Sequence, residues 1–259
     1  MLPKGGTVRS HMLMFCLILT PALALADGPA DAKAALHKLQ GREAVQVHLD
    51  YQSWRQSGAE GKLEKPNQAQ VGVRVAEDAT MLRVEWDTSL VEKVEEEARR
   101  HDVDPTSPTS LRESLKDLDP GRLHHFLNQG PVLANLLAES RFLRESPENH
   151  GGKAARLLVF AFEPRVPASR QSHLSKREGE FKLWIDGEGI PFEAESTIHY
   201  QGKMSRIFGA FEVRTRTTTQ FERIGTRLLV RSRTIEDEAS DSGFVTRSKT
   251  LVSLKQVMP

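Results

Sequence analysis

The apolar residues from Ser89 to His150 recur with a helical period, whereas on both sides of this block the chain alternates apolar and polar residues with a period of two. Leu90, Val94 and Ala98 share one helix face. After a break at Pro105, Ser107-Pro108 can cap a helix carrying Leu111, Leu115 and Leu118, and Asp119-Pro120 can open another that carries Leu123, Phe126 and Leu127. Pro131 opens a further helix whose Leu133, Leu136, Leu137 and Leu143 form the widest apolar stripe in the chain. A helix with such a stripe has to bury it, and a long strand sequence with one polar face has to hide the other. The two requirements are met together if the helices lie on the sheet.

The flanking strands are written plainly. A short amphipathic helix with Ala32, Ala35, Leu36 and Leu39 on one stripe precedes Val45, Val47, Leu49 and Tyr51, which alternate with polar neighbours. Val71, Val73 and Val75 alternate again, then Leu82, Val84 and Trp86. Beyond Gly151-Gly152, the continuous apolar run Leu157 to Phe162 reads as a strand covered on both faces. Leu183 and Ile185 lead through the turn-rich Asp186 to Gly189 into a strand with Ala194, Ile198 and Tyr200 on one face. Phe211, Val213, Thr215, Thr217, Thr219 and Phe221 then face one way, and Glu212, Arg214, Arg216 and Gln220 the other. Leu228 and Val230 continue the apolar face, with Arg231 and Arg233 on the polar one, and a final strand runs from Thr246 to Leu254. Three threonines where a dry core would carry valine mark either an inward face that is only partly buried or the place where the sheet outgrows its helical cover.

Met12 to Ala26 is an apolar run preceded by Lys4 and Arg9 and closed by Ala24-Leu25-Ala26, the three parts of a cleavable secretion signal. The expectation is cleavage after Ala26 and a soluble periplasmic protein of residues 27–259. Removing residues 1–26 takes away Cys16, the single cysteine, so the exported chain has no disulfide and no thiolate chemistry and depends on its core. Of 36 basic residues, Lys4 and Arg9 leave with the signal, so 34 face 35 acidic ones, a balance unlike that of a nucleic-acid binder.

These features predict an α+β fold: a large curved antiparallel sheet, an open half-barrel, with a helical insert at about 89–150 covering its concave face in a single domain. Lys65-Pro66-Asn67 leading into Val71 to Val75 and Leu82 to Trp86, then Leu157 to Pro164 and FKLWIDGEGIPFEAE at Phe181 to Glu195, resemble the periplasmic lipoprotein carriers of the LolA/LolB type over about Ala30 to Val213. The resemblance implies a half-barrel whose helices close a hydrophobic cavity for acyl chains. The chain departs from it in its longer helical insert, in the strand pair after Ile224 and in lacking a lipobox.

No zinc helix, nucleophile elbow, SxxK pair or phosphate loop occurs, and the adjacent His124 and His125 point about 100° apart on a helix, an arrangement unsuited to sharing a metal. The leading expectation is a non-enzymatic protein without cofactor or metal that binds a lipid, an acylated protein or another hydrophobic ligand. Its cavity would be lined by Val47, Leu49, Val73, Val84, Leu136, Leu137, Leu183, Ile198, Phe211 and Val213. The alternative is an envelope interaction or stress-regulatory module with a dry core. Its outer row Arg214, Arg216, Arg231, Arg233 and Arg247 would meet a protein partner or an anionic membrane surface. A third reading uses Glu193 and Glu195 as acid and base.

Overall fold

The structure is a computed structural model that describes residues 27–41, 43–205 and 209–257. The segment read above as a secretion signal lies outside the described residues. The elements run α1 (Gly28–Lys38), β1 (Val45–Ala59), β2 (Lys62–Leu63), β3 (Asn67–Glu77), β4 (Leu82–Trp86), α2 (Thr88–Val103), α3 (Ser110–Lys116), α4 (Pro120–Leu127) and α5 (Gln129–Glu139). They continue β5 (Arg141–His150), β6 (Lys153–Phe162), α6 (Ala168–Gln171), β7 (Leu174–Ile185), β8 (Pro191–Ser205), β9 (Gly209–Ile224), β10 (Arg227–Asp241) and β11 (Phe244–Gln256).

All strands join one antiparallel sheet in the order β4-β3-β1-β11-β10-β9-β8-β7-β6-β5, with β2 paired to β1. The sheet does not close: β4 and β5 are its edges, and α2–α5 are the connection between them. The open α+β half-barrel expected from the alternation is therefore present.

The inner face splits into two packed lobes. In one, Val45, Val47, Leu49 and Tyr51 of β1 and Val71, Val73 and Val75 of β3 pack against Leu118 of the α3–α4 turn and Leu123, Phe126 and Leu127 of α4. In the other, Leu36 and Leu39 of α1 and Leu133 and Leu137 of α5 pack against Leu158, Phe160, Phe181 and Leu183. α1 and α5 touch closely, since a Cβ on Gly130 would lie 2.1 Å from the Leu39 carbonyl oxygen. The outer side of the β6–β7 region has its own cover: Trp184 stacks on His150 with ring centroids 4.3 Å apart and donates to Glu148, beside Leu157 and Val159.

Two expectations fail locally. The helical insert ends at Glu139, and residues 141–150 form edge strand β5, leaving Leu143 exposed instead of in a helix stripe. Pro147 is tolerated there because an edge strand can leave one side of its backbone unpaired. The helix predicted from Ser107-Pro108 begins at Ser110, and no side chain of its own N-terminus caps it. Glu97 of α2, 4% exposed, instead accepts hydrogen bonds from the backbone N–H groups of Leu111 (3.1 Å) and Arg112 (2.9 Å). Its negative charge meets the positive end of the α3 dipole. The Asp119-Pro120 start is as read, with Asp119 accepting from Gly121 and Arg122.

Candidate functional site

A cleft of about 950 Å³ opens between the helices and the sheet. Its roof is α3 and α4, through Ser110, Ser114, Asp117, Arg122, His125 and Phe126. Its floor is Tyr51 and Ser53 of β1, Ser248, Thr250 and Val252 of β11, and Arg233, Ile235 and Asp237 of β10. The lining mixes apolar and polar groups, where the sequence suggested an apolar cavity. Tyr51 donates to Asp117 at 2.8 Å, and Ser53 and Ser114 share a hydrogen bond at 2.9 Å, tying roof to floor. Burial, reinforced by the negative Asp117 acceptor, pushes the Tyr51 hydroxyl up to about 12.

Arg233 is the feature the alternation misplaced. Counted from Leu228 and Val230, it falls on the outer face. The β9–β10 register, however, shifts between Val230 and Ser232, so Arg231 is an extra residue and Arg233 pairs across to Thr219 and Val252 on the inner face. A one-residue slip reverses every later side chain. Its guanidinium lies 5.3 Å from the Phe126 ring centroid, and it donates through Nε to Thr219 (3.0 Å) and through Nη2 to Gln129 (3.1 Å). No carboxylate of the described residues comes within ion-pair distance of it. Burial lowers its pKa to about 10, which leaves it a cation at neutral pH.

From the cleft the inner face continues as a half-buried band toward the connection that carries α6. The register places Ile235 beside Thr217 and Ser196, and Asp237 beside Thr215 and Ile198. All six are half-buried, as is Val213 in the following row. At the far end Arg170 of α6 covers the Phe211 ring at 5.0 Å and pairs with Asp241 at 3.2 Å. Asp237 accepts from Thr215 at 2.7 Å and Ser248 at 3.3 Å.

The ten expected cavity residues divide accordingly. Val47, Leu49, Val73, Leu137 and Leu183 are buried within packed core, Val84 and Leu136 pack against it, and Phe211 is buried under Arg170. None of the ten lines the 950 Å³ cleft, and only Ile198 and Val213 lie in the half-buried band. Residues under the helices are the ones whose space is filled.

Of the arginine row, Arg214, Arg216 and Arg247 do meet, in an outer-face groove of about 890 Å³ that also includes Trp54 and Lys249. Each is matched by an acid: Arg214 with Glu212, Arg216 with Glu195, Arg247 with Glu238 and Lys249 with Glu236. The expected basic surface is thus an ion-pair ladder, with Arg231 exposed beside it. Glu193 and Glu195 are likewise engaged, by His150 and by Lys182 and Arg216. Burial raises the Glu195 pKa, but the hydrogen bonds from Arg216 and Lys182 outweigh it and leave the carboxyl below its ordinary value.

A buried polar network was not legible in sequence. Arg227, 1% exposed, donates through Nη1 to Glu77 (3.2 Å) and Asn128 (2.9 Å). Glu77 also accepts from Asn128 and meets His124 Nδ1 at 2.7 Å. His124, although its side chain is half exposed, therefore fastens α4 to the end of β3. Among the described residues no group of three or more His, Cys, Asp or Glu converges as a metal site, and no helix is long and apolar enough to cross a membrane.

No protein family's profile matches this sequence, and no curated protein matches it. Among solved structures, the chain is similar to a LolA superfamily protein, NE2245 from Nitrosomonas europaea, at 14% identity over 88% of this chain and 94% of that one, with a TM-score of 0.24. At that score no residue correspondence follows, so the cleft stands on its own geometry.

Proposed function

We propose that this chain is an exported, non-catalytic carrier or binder of an amphipathic ligand, a lipid or an acylated segment, held between the helices and the inner face of the sheet. The observation that carries this reading is the continuity of the 950 Å³ cleft with the half-buried band of Ile198, Val213, Thr217 and Ile235. A sheet face with its helices in place normally has no such band left open, and apolar side chains held half-exposed in a concave trough gain by being covered. The mixed lining suits a ligand with both an apolar and a polar part.

Export to the periplasm is supported by the Met12 to Ala26 run, and cleavage after Ala26 would place the new terminus at Asp27, the N-cap of α1. Terminal sequencing of the periplasmic fraction tests this; a chain retaining Met1 refutes it. For binding, the mature protein is extracted with organic solvent for lipid mass spectrometry and titrated with a fluorescent fatty-acid probe. Thr217→Arg, which fills the band without touching the packed lobes, is expected to abolish the probe signal while leaving the far-UV circular dichroism unchanged. No extractable lipid together with no probe response would overturn the proposal.

The outer groove favours a second reading, capture of an envelope protein on the face that holds Arg214, Arg216 and Arg247. Charge reversal at these three positions would abolish partner capture and spare the fatty-acid probe under that reading.

A further inference from the structure

We propose that Arg233 seats the carboxylate of a single-chain fatty acid whose hydrocarbon tail lies along the inner face toward Phe211. This rests on the trough reading above and names the ligand class for it. Arg233 is the half-buried cation on the cleft floor that lacks a carboxylate, whereas Arg55 and Lys65, which also line the cleft without an ion pair, are exposed; its Nη1 has no partner among the described residues. The guanidinium lies over the Phe126 ring, 5.3 Å from its centroid, a contact that supplies no oxygen or nitrogen acceptor for the Nη1 hydrogens.

A single guanidinium with two of its donors already committed suits one monoanion, whereas a phosphate dianion needs more positive charge than this corner offers. Its desolvation strengthens the attraction for whatever anion arrives. The length is right as well. From the row of Arg233 to the row of Asp241 and Phe211 is eight residues of β10, about 27 Å at roughly 3.4 Å per residue, enough for one extended long acyl chain.

The direction is set by Asp237. It lies on the same face four residues along β10, and its carboxylate is satisfied by Thr215 and Ser248 without a cation. An anionic headgroup is repelled there and drawn to Arg233, so the methylenes pass over Ile235, Thr217 and Ile198.

The test is competition against a fluorescent fatty-acid probe on the mature chain at mildly alkaline pH, with oleate, oleyl alcohol, monoolein and oleoyl lysophosphatidate as competitors. Oleate is expected to bind about tenfold or more tightly than oleyl alcohol, the gain of a charge-assisted hydrogen bond in a partly dry site. In Arg233→Gln this ratio should fall to near one with the affinity for oleyl alcohol kept, and Arg233→Lys should retain most of the preference. If the neutral competitors match oleate in the wild type, or the ratio survives in Arg233→Gln, the assignment of Arg233 is overturned while the trough reading stands. Lysophosphatidate binding more tightly than oleate overturns the carboxylate. A probe that does not bind at all overturns the trough reading and this inference with it. Where Arg233→Gln does not fold, the wild-type ranking decides alone.

Discussion

Replacing Glu77 by leucine isolates the worth of the network that pins α4 to the sheet. Glu77 is 8% exposed and Arg227 1%, so the substitution leaves a guanidinium in the core with only the Asn128 amide oxygen as acceptor. An uncompensated buried charge costs about 3–5 kcal/mol. For a chain of this size 1 kcal/mol moves the melting temperature by about 2–4 °C, so Glu77→Leu should lower it by roughly 6–20 °C. Arg227→Met should cost less, because Glu77 keeps Asn128 and His124 as donors. The double variant Glu77→Leu/Arg227→Met should recover most of the loss, since a neutral pair of similar volume is often as stable as the ion pair it replaces. Urea denaturation followed by circular dichroism gives all four stabilities and hence the coupling energy. A Glu77→Leu cost below about 1 kcal/mol, or additive single effects, would refute the view that these two charges depend on one another.

Other expectations follow from single contacts. With its hydroxyl raised from 10.0 to about 12, Tyr51 should ionise only at strongly alkaline pH, giving a late rise in phenolate absorbance. Because the folded value lies above the unfolded one, the stability Tyr51 confers is complete below about pH 10 and is lost as pH rises through about 12. Tyr51→Phe should remove this late rise and cost about 1 kcal/mol in urea denaturation. Glu97→Ala should strip the N-terminus of α3 of its two acceptor bonds and cost about 1–2 kcal/mol, with faster amide exchange at Leu111 and Arg112 as the local sign. Gly130→Ala should cost about 1–3 kcal/mol, because the new methyl meets the Leu39 carbonyl at 2.1 Å and must push α1 away from α5.

The strands were legible wherever one face is dry. Val45 to Tyr51, Val71 to Val75 and Phe211 to Phe221 announce their parity because burial on one side forces it, and the register agrees. Parity was lost at Arg231, where Leu228, Leu229 and Val230 are all buried and give no alternation from which a bulge could be noticed. Strand β5 was missed for a different reason. RFLRESPENH has little alternation of its own and is held as a strand by pairing with β6, a tertiary contact. The Glu77–Arg227 pair joins residues 150 apart, and nothing local to either hints at the other. For the site, sequence identified which residues face inward, but whether an inward residue is packed or open depends on where the helices stop. Leu49 lies under them and is packed; Ile198 lies beyond and is half-exposed.

Where the helices stop is itself a matter of geometry. Sheet order makes α2–α5 run from one edge of a ten-strand path to the other, a span of about 43 Å at about 4.8 Å per strand, shortened by curvature. These helices hold 16, 7, 8 and 11 residues, or about 63 Å of axis at about 1.5 Å per residue. That is enough to cross the sheet once, with some folding back, in a band about one to two helix diameters wide. Strands β8–β10, at 15 or 16 residues, extend about 50 Å. A single crossing cannot cover them, so a stretch of inner face stays open between α4 and the short α6. Fully apolar residues along that stretch would be a standing aggregation hazard, and threonine at 215 and 217 with Asp237 beside them lowers it while leaving Ile198, Val213 and Ile235 to contact an apolar chain. The open trough is therefore a consequence of joining the two edges of a wide sheet with a short helical insert, and Arg233 is where that trough meets the lid.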